Sequence, residues 1–264
     1  LIRRNMVRTG RSLDQGLDLR AWLDEGIVDV LVPEAKGNID PSSDFSAVAA
    51  AAEGTDCRVH ASLAYGVDSD RLSGATIEMI RATATNYWRQ GIDGLYLTQW
   101  FTQWPYEADF YEQLREVVDP EVMAPRDKYY FVPTVGGRVT GDPAPADRTR
   151  RLPVLLEEGD TATVVFPISD DLARWDDVGR IHEVLLRVRI TGATELIDVG
   201  FTLNGADLPD EQLRKINRMY MMGAPRYRVG GYWYIYKLSR EYWPKAGDNE
   251  LAVTLRRRDA VVTQ

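Results

Sequence analysis

Glu34 is the carboxylate best placed to do chemistry in this chain. It follows the apolar run Val28-Asp29-Val30-Leu31-Val32-Pro33, and Asp40 lies in the loop beyond it. In a parallel β/α arrangement, a carboxylate just past the end of a strand stands where such folds carry their sites. Cleavage of a glycosidic bond needs two carboxylates, one as acid and one as base or nucleophile. Glu34 fits one of those roles, and it fits equally the bland role of a solvated loop glutamate. No second carboxylate is singled out by the sequence.

His60 lies inside the strand-like run Cys57-Arg58-Val59-His60-Ala61-Ser62-Leu63. An imidazole there can bond a sugar hydroxyl or assist a proton transfer, or it can be a core histidine satisfied by backbone. Tyr65 and Asp68 follow the same strand as loop candidates, and Tyr65, like Asp40, is a substrate-binding candidate. Gln99, Trp100, Trp104 and Tyr106 follow the run Leu95-Tyr96-Leu97-Thr98. Flat aromatic faces at a strand end can stack on sugar rings, and a glutamine amide both donates to and accepts from hydroxyls. The competing reading is that this loop packs against a neighbouring domain. Asp93 precedes its strand and is expected to be structural.

Composition removes other chemistries. One cysteine, Cys57, excludes an internal disulfide, and with only two histidines, His60 and His182, neither a multi-cysteine nor a His-rich metal site is expected. There is no Gly-x-Ser-x-Gly elbow, no His-Glu-x-x-His helix and no Gly-rich phosphate loop after a strand. No metal and no cofactor are therefore expected. With 40 acidic against 32 basic residues the net charge is −8, which disfavours general binding to nucleic acid. No run approaches the ~20 apolar residues that cross a bilayer.

The elements that must hold these residues alternate. Leu19, Trp22 and Leu23 share a helical face ended by Gly26. Ser42-Ser43-Asp44 offers a cap for a helix carrying Phe45, Val48 and Ala52. Ile77, Ile80, Ala84, Tyr87 and Trp88 make one stripe, and Phe110, Leu114, Val117 and Val118 another. With strands at 28–33, 57–63, 95–101 and 128–132, the pattern predicts about four parallel βα units. From Gly136 the character changes to a Gly- and Pro-rich stretch and then to β-rich runs at 161–168, 184–190, 197–203, 232–238 and 250–255. The predicted organisation is a β/α part over 1–135, a linker over 136–150 and an antiparallel β-sandwich over 151–264. In Tyr232–Tyr236 alternation sets three tyrosines on one face and Trp233 with Ile235 on the other. One set is expected in the core, the other against sugar or a neighbouring domain. Arg256-Arg257-Arg258 is read as a solvated edge that discourages strand pairing.

The segments Gly16–Trp22, Gly26–Pro33, Arg81–Trp88 and Gly91–Leu97 resemble the later half of a family-10-like glycoside hydrolase barrel. Leu203-Asn204-Gly205 and Gly247-Asp248-Asn249-Glu250-Leu251 resemble the turns of a galactose-binding-like jelly roll. The resemblance implies a partial (β/α) TIM-type barrel followed by a jelly roll, and hydrolysis of a poly- or oligosaccharide by carboxylate acid–base chemistry. It also implies a periplasmic or extracellular setting. A non-catalytic carbohydrate-binding or scaffolding protein, or one subunit of a larger assembly, is the alternative. Half a barrel leaves strand edges unpaired, so the missing half is expected from upstream residues or another chain, possibly in an oligomer.

Overall fold

Capped helices alternate with apolar strands through Leu1–Arg150, the first of two compact units; the second is Arg151–Gln264. The structure, a computed structural model, describes residues 2–4, 16–33, 38–67, 74–98, 100, 108–134, 152–217 and 231–259. The first unit runs β1 (Ile2–Arg4), α1 (Leu19–Asp24), β2 (Val30–Pro33), β3 (Asn38–Ile39), α2 (Ser46–Ala52) and β4 (Arg58–Ala64). It continues through β5 (Gly66–Val67), α3 (Ile77–Trp88), β6 (Gly94–Thr98), α4 (Ala108–Val117) and α5 (Pro120–Met123).

Local chemistry sets these boundaries. The Asp18 carboxylate accepts from Ala21 N at 3.0 Å and opens α1, and Thr76 Oγ1 accepts from Met79 N to open α3. The expected cap at Ser42–Asp44 is only partly realised. Phe45 occupies the cap position of α2 and makes no side-chain cap, while Asp44 accepts from Ser46 N at 2.9 Å.

The strands pair in parallel in the order β1-β2-β4-β6, the order of the chain itself. Beyond their ends β3 and β5 form a second, two-stranded parallel sheet. Leu31, Val59, Ala61 and Leu63 project from one face into a single core with Leu23, Val48, Ile80 and Tyr87 of the helices. Removing each such side chain from water contributes ~2 kcal/mol. Arg81 Nε meets Glu116 Oε2 at 2.7 Å, and Trp88 Nε1 donates to Val117 O at 2.9 Å, which fixes α3 to α4.

One expected strand is absent. Residues 128–132 form no strand: Tyr129 N donates to Glu78 O of α3 and the Lys128 ammonium to Ala124 O, so this segment bonds to helices. The fourth parallel strand is β1, whose three residues carry too little periodicity to be read in advance. No barrel closes among the described residues.

The second unit runs β7 (Thr161–Ile168), α6 (Leu172–Asp177), β8 (Leu185–Thr191), β9 (Asp198–Leu203) and β10 (Ala206–Asp207). Then come β11 (Leu213–Asn217), β12 (Gly231–Lys237) and β13 (Gly247–Arg257). They make two antiparallel sheets, β10-β9-β13-β7 and β11-β12-β8. The sheets share one core, in which Val199, Phe201 and Leu203 of β9 and Leu251, Val253 and Leu255 of β13 meet Tyr234 and Tyr236 of β12. The Phe201 ring stands 5.2 Å from that of Tyr234 and 5.5 Å from that of Tyr236.

The β9–β10 turn is Asn204-Gly205 with φ of +52° and +84°, the primed hairpin geometry that this dipeptide favours. Asn204 Nδ2 donates to Asn249 Oδ1 at 2.8 Å and stitches the turn to the start of β13. The arginine run ends β13, beyond Thr254, the last residue of that strand in register with β7; all three arginines are exposed, and Arg257 lies opposite Asp198 of β9.

Candidate functional site

Alternation along β4 and β6 builds the candidate site. Since Val59, Ala61 and Leu63 face the helices, His60, Ser62 and Ala64 face the other way. Their neighbours in register are Gly94, Tyr96 and Thr98 of β6. The result is a sheet face that carries His60, Ser62, Tyr96 and Thr98 beside the buried apolar Ala64 and Val32.

Ser62 is 5% exposed and Thr98 4%. The Ser62 hydroxyl has no hydrogen-bond partner among the described residues. A buried unpaired hydroxyl costs ~1–3 kcal/mol, so Ser62 carries hydrogen-bonding capacity that folding has left unused. Ser62, Tyr96 and Thr98 were not among the residues expected to bind; the signal was present, since they follow His60 and Gly94 at intervals of two.

His60 lies on this face, away from the helices. Its imidazole rests over Gly94, where a Cβ would come within 2.9 Å of the ring. It is four residues short of the end of β4, or ~13 Å of strand. Ser62 and Ala64 therefore stand between it and the C-terminal end where parallel β/α folds place reacting groups.

Tyr65 follows β4 directly. Its ring covers Gly74, where a Cβ would meet it at 2.6 Å, and it lies 5.7 Å from the ring of Trp100. Trp100 is 5% exposed, stands 5.7 Å from Phe110 and donates its indole N–H to Leu63 O at 3.0 Å. An indole enclosed on that scale offers no open face to a sugar. Trp100, two residues beyond β6, is thereby tied to the end of β4 within the first unit.

Asp40 is held differently. Its carboxylate accepts from Ser42 N at 2.8 Å, closing a turn, and its carbonyl accepts from Tyr87 OH at 3.0 Å. Asn86 Nδ2 donates to Pro41 O and Gln90 Nε2 to Ser43 O, so three side chains of α3 and its C-terminal turn clamp the loop. Burial pushes the Tyr87 phenol up, which keeps it a neutral donor. Of the expected residues, Tyr65 and Trp100 come together; Asp40 belongs to this separate clamp.

Glu34, Asp68, Gln99, Trp104 and Tyr106 lie outside the described residues. Asp93, expected to be structural, accepts from Val59 N at 2.8 Å at the start of β4. Cys57 is buried, and burial pushes its thiol up, away from nucleophilic use. No group of three or more metal-ligating side chains occurs among the described residues. Nor is any helix among them long and apolar enough to cross a membrane.

The chain matches no protein-family model and no curated protein.

Proposed function

We propose that this protein handles carbohydrate as a glycoside hydrolase of the family-10-like kind, its first unit forming part of a (β/α) barrel and its second a galactose-binding-like jelly roll. The observation that carries the reading is the β1-β2-β4-β6 sheet. Its strands are parallel and in chain order, most of its apolar core lies on one face, and the other carries hydroxyls and an imidazole beside Val32 and Ala64. A doubly wound sheet reverses its order and covers both faces with helices; a barrel wall does neither.

In this reading Glu34, which follows Pro33 of β2, supplies one of the two carboxylates that glycoside cleavage requires. His60 lies too far down its strand to share that step and serves as a positioning residue beneath the sugar. Tyr65 and the Asp40 loop form the rim. β1 and β6 lack an outer partner among the described residues, and we propose that strands from elsewhere in the polypeptide or from another chain complete the wall.

The second reading, a non-catalytic carbohydrate-binding protein, is favoured by one observation: the face of His60 and Ser62 carries no carboxylate among the described residues. Release of reducing ends from a panel of neutral and acidic polysaccharides separates the two. A hydrolase loses activity ~10²–10⁴-fold on Glu34→Gln, with glycan binding retained. Binding without release by the unaltered protein refutes hydrolysis and leaves the binding reading standing.

A further inference from the structure

Asn204 is the one asparagine in the chain that a glycine follows. Glycine has no side chain to shield its amide nitrogen, and its backbone is the most mobile of any residue. In such a pair the glycine nitrogen can attack the carboxamide carbon of the asparagine. A C–N bond forms and closes a succinimide ring, while the Nδ2 group takes the proton of the attacking nitrogen and leaves as ammonia. Water then opens the ring at either carbonyl and yields aspartate or isoaspartate. Asn204 and Gly205 are both exposed, so solvent reaches the turn.

The fold engages this carboxamide at both of its polar atoms. Asn204 Nδ2 donates to Asn249 Oδ1 at 2.8 Å, and Asn204 Oδ1 accepts from Glu250 N at 2.9 Å. The backbone is tied as well, with Asn204 N donating to Glu250 O at 2.8 Å. Asn249 has no freedom to follow a rotating partner. Its Oδ1 also accepts from Lys245 N, its Nδ2 donates to Lys245 O and Gly247 O, and it is 1% exposed. Ring closure has to swing the carboxamide carbon of Asn204 onto Gly205 N, and that motion breaks both side-chain bonds to β13.

We propose that Asn204 is a deamidation site gated by this latch: Asn249 and Glu250 hold it unreacted, and opening of the β9–β10 turn commits it. The reaction runs one way because its products cannot remake the latch. Aspartate would set an oxygen that only accepts against Asn249 Oδ1, which also accepts. Asn249 cannot turn its amide to offer Nδ2 without giving up its three bonds to Lys245 and Gly247. Isoaspartate adds a carbon to the backbone of a two-residue turn, whose length fixes the pairing of β9 with β10.

The test incubates the full chain at mildly alkaline pH, folded and in urea, and follows Asn204 by peptide mass spectrometry with an isoaspartate assay. The unfolded chain is expected to convert Asn204 at least tenfold faster than the folded chain, and faster than any other asparagine. Asn249→Ala, kept at a temperature where circular dichroism shows it folded, should convert Asn204 at least tenfold faster than the unaltered protein. Asn204→Asp, which carries the product side chain from the start, should melt at a lower temperature.

Equal rates in the folded and unfolded chains overturn the proposal, as does a folded Asn249→Ala protein that converts no faster than the unaltered one. If Asn249→Ala does not fold, the unaltered chain in sub-denaturing urea decides. Conversion must then rise in step with hydrogen exchange of the Glu250 amide, the donor to Asn204 Oδ1. Conversion that stays flat while that amide exchanges faster overturns the gate. An unchanged melting temperature in Asn204→Asp overturns the one-way latch.

Discussion

The imidazole of His60 occupies the space that a side chain at residue 94 would fill: a Cβ built there lies 2.9 Å from both Cδ2 and Nε2 of the ring. Glycine at the first position of β6 is thus a requirement of its neighbour in register on β4. Because the crowded atoms belong to the free end of a side chain, Gly94→Ala is expected to displace the ring and cost ~1 kcal/mol, at the low end for overpacking. In a His60→Ala background the same change should cost nothing. A double-mutant cycle by urea denaturation measures this coupling, and additive costs would refute the contact.

Alkali tests the second core. Burial holds the phenols of Tyr234 and Tyr236 up at about 12, above their ordinary value near 10. Between those values the unfolded chain releases phenolic protons that the folded chain retains. Their stabilisation is therefore full below pH ~10 and is lost as pH rises through 12, by ~3 kcal/mol for each residue. Urea midpoints of the second unit should fall steeply over that interval. Tyr236→Phe should flatten the fall; an unchanged slope would contradict burial of the phenol.

Much of this architecture was legible, and the reasons are local. Helices α1 and α3 carry apolar stripes and capping side chains, and Asn204-Gly205 specifies its turn, so sequence and structure coincide there. Period-two alternation at 232–236 predicted two faces, but only the packing of Phe201 on Tyr234 and Tyr236 decides which one is core. Strands β1, β3, β5 and β10, of two or three residues, are too short to carry a period. Lys128–Val132 has a strand-like composition yet bonds to helices, because tertiary partners outweigh propensity. The group Ser62, Tyr96 and Thr98 escaped notice because no single one of these residues is chemically distinctive. It is their register beside one another that makes a site.

Two buried polar side chains of the second unit predict opposite outcomes. The Tyr234 hydroxyl is buried without a hydrogen-bond partner among the described residues. Its removal relieves a desolvated group, so Tyr234→Phe is expected to leave stability unchanged or to raise it by up to ~1 kcal/mol. Asn249, 1% exposed, accepts from Asn204 Nδ2 and Lys245 N and donates to Lys245 O and Gly247 O. Asn249→Ala orphans those partners and should cost ~2–4 kcal/mol. Thermal melts of the two variants settle it: a large loss in Tyr234→Phe would mean the hydroxyl has a partner.

The ion pair of the first unit separates a structural role from a surface contact. Arg81 and Glu116 are 13% and 16% exposed and 2.7 Å apart, and Arg81 also donates to Asp127 O at 3.3 Å. Solvent-exposed pairs contribute at most ~1 kcal/mol, and Arg20–Asp24, with side chains 71% and 53% exposed, is such a pair. Arg20→Ala should therefore change stability by less than ~0.5 kcal/mol. Arg81→Met leaves the Glu116 carboxylate with only Arg126, 3.9 Å away, and should cost ~2–3 kcal/mol. The double variant Arg81→Met/Glu116→Leu, which removes both charges, should recover most of that loss, since the cost comes from stranding one ion. No recovery would mean that Arg81 acts through its bond to Asp127 O, holding the segment after α5 against α3.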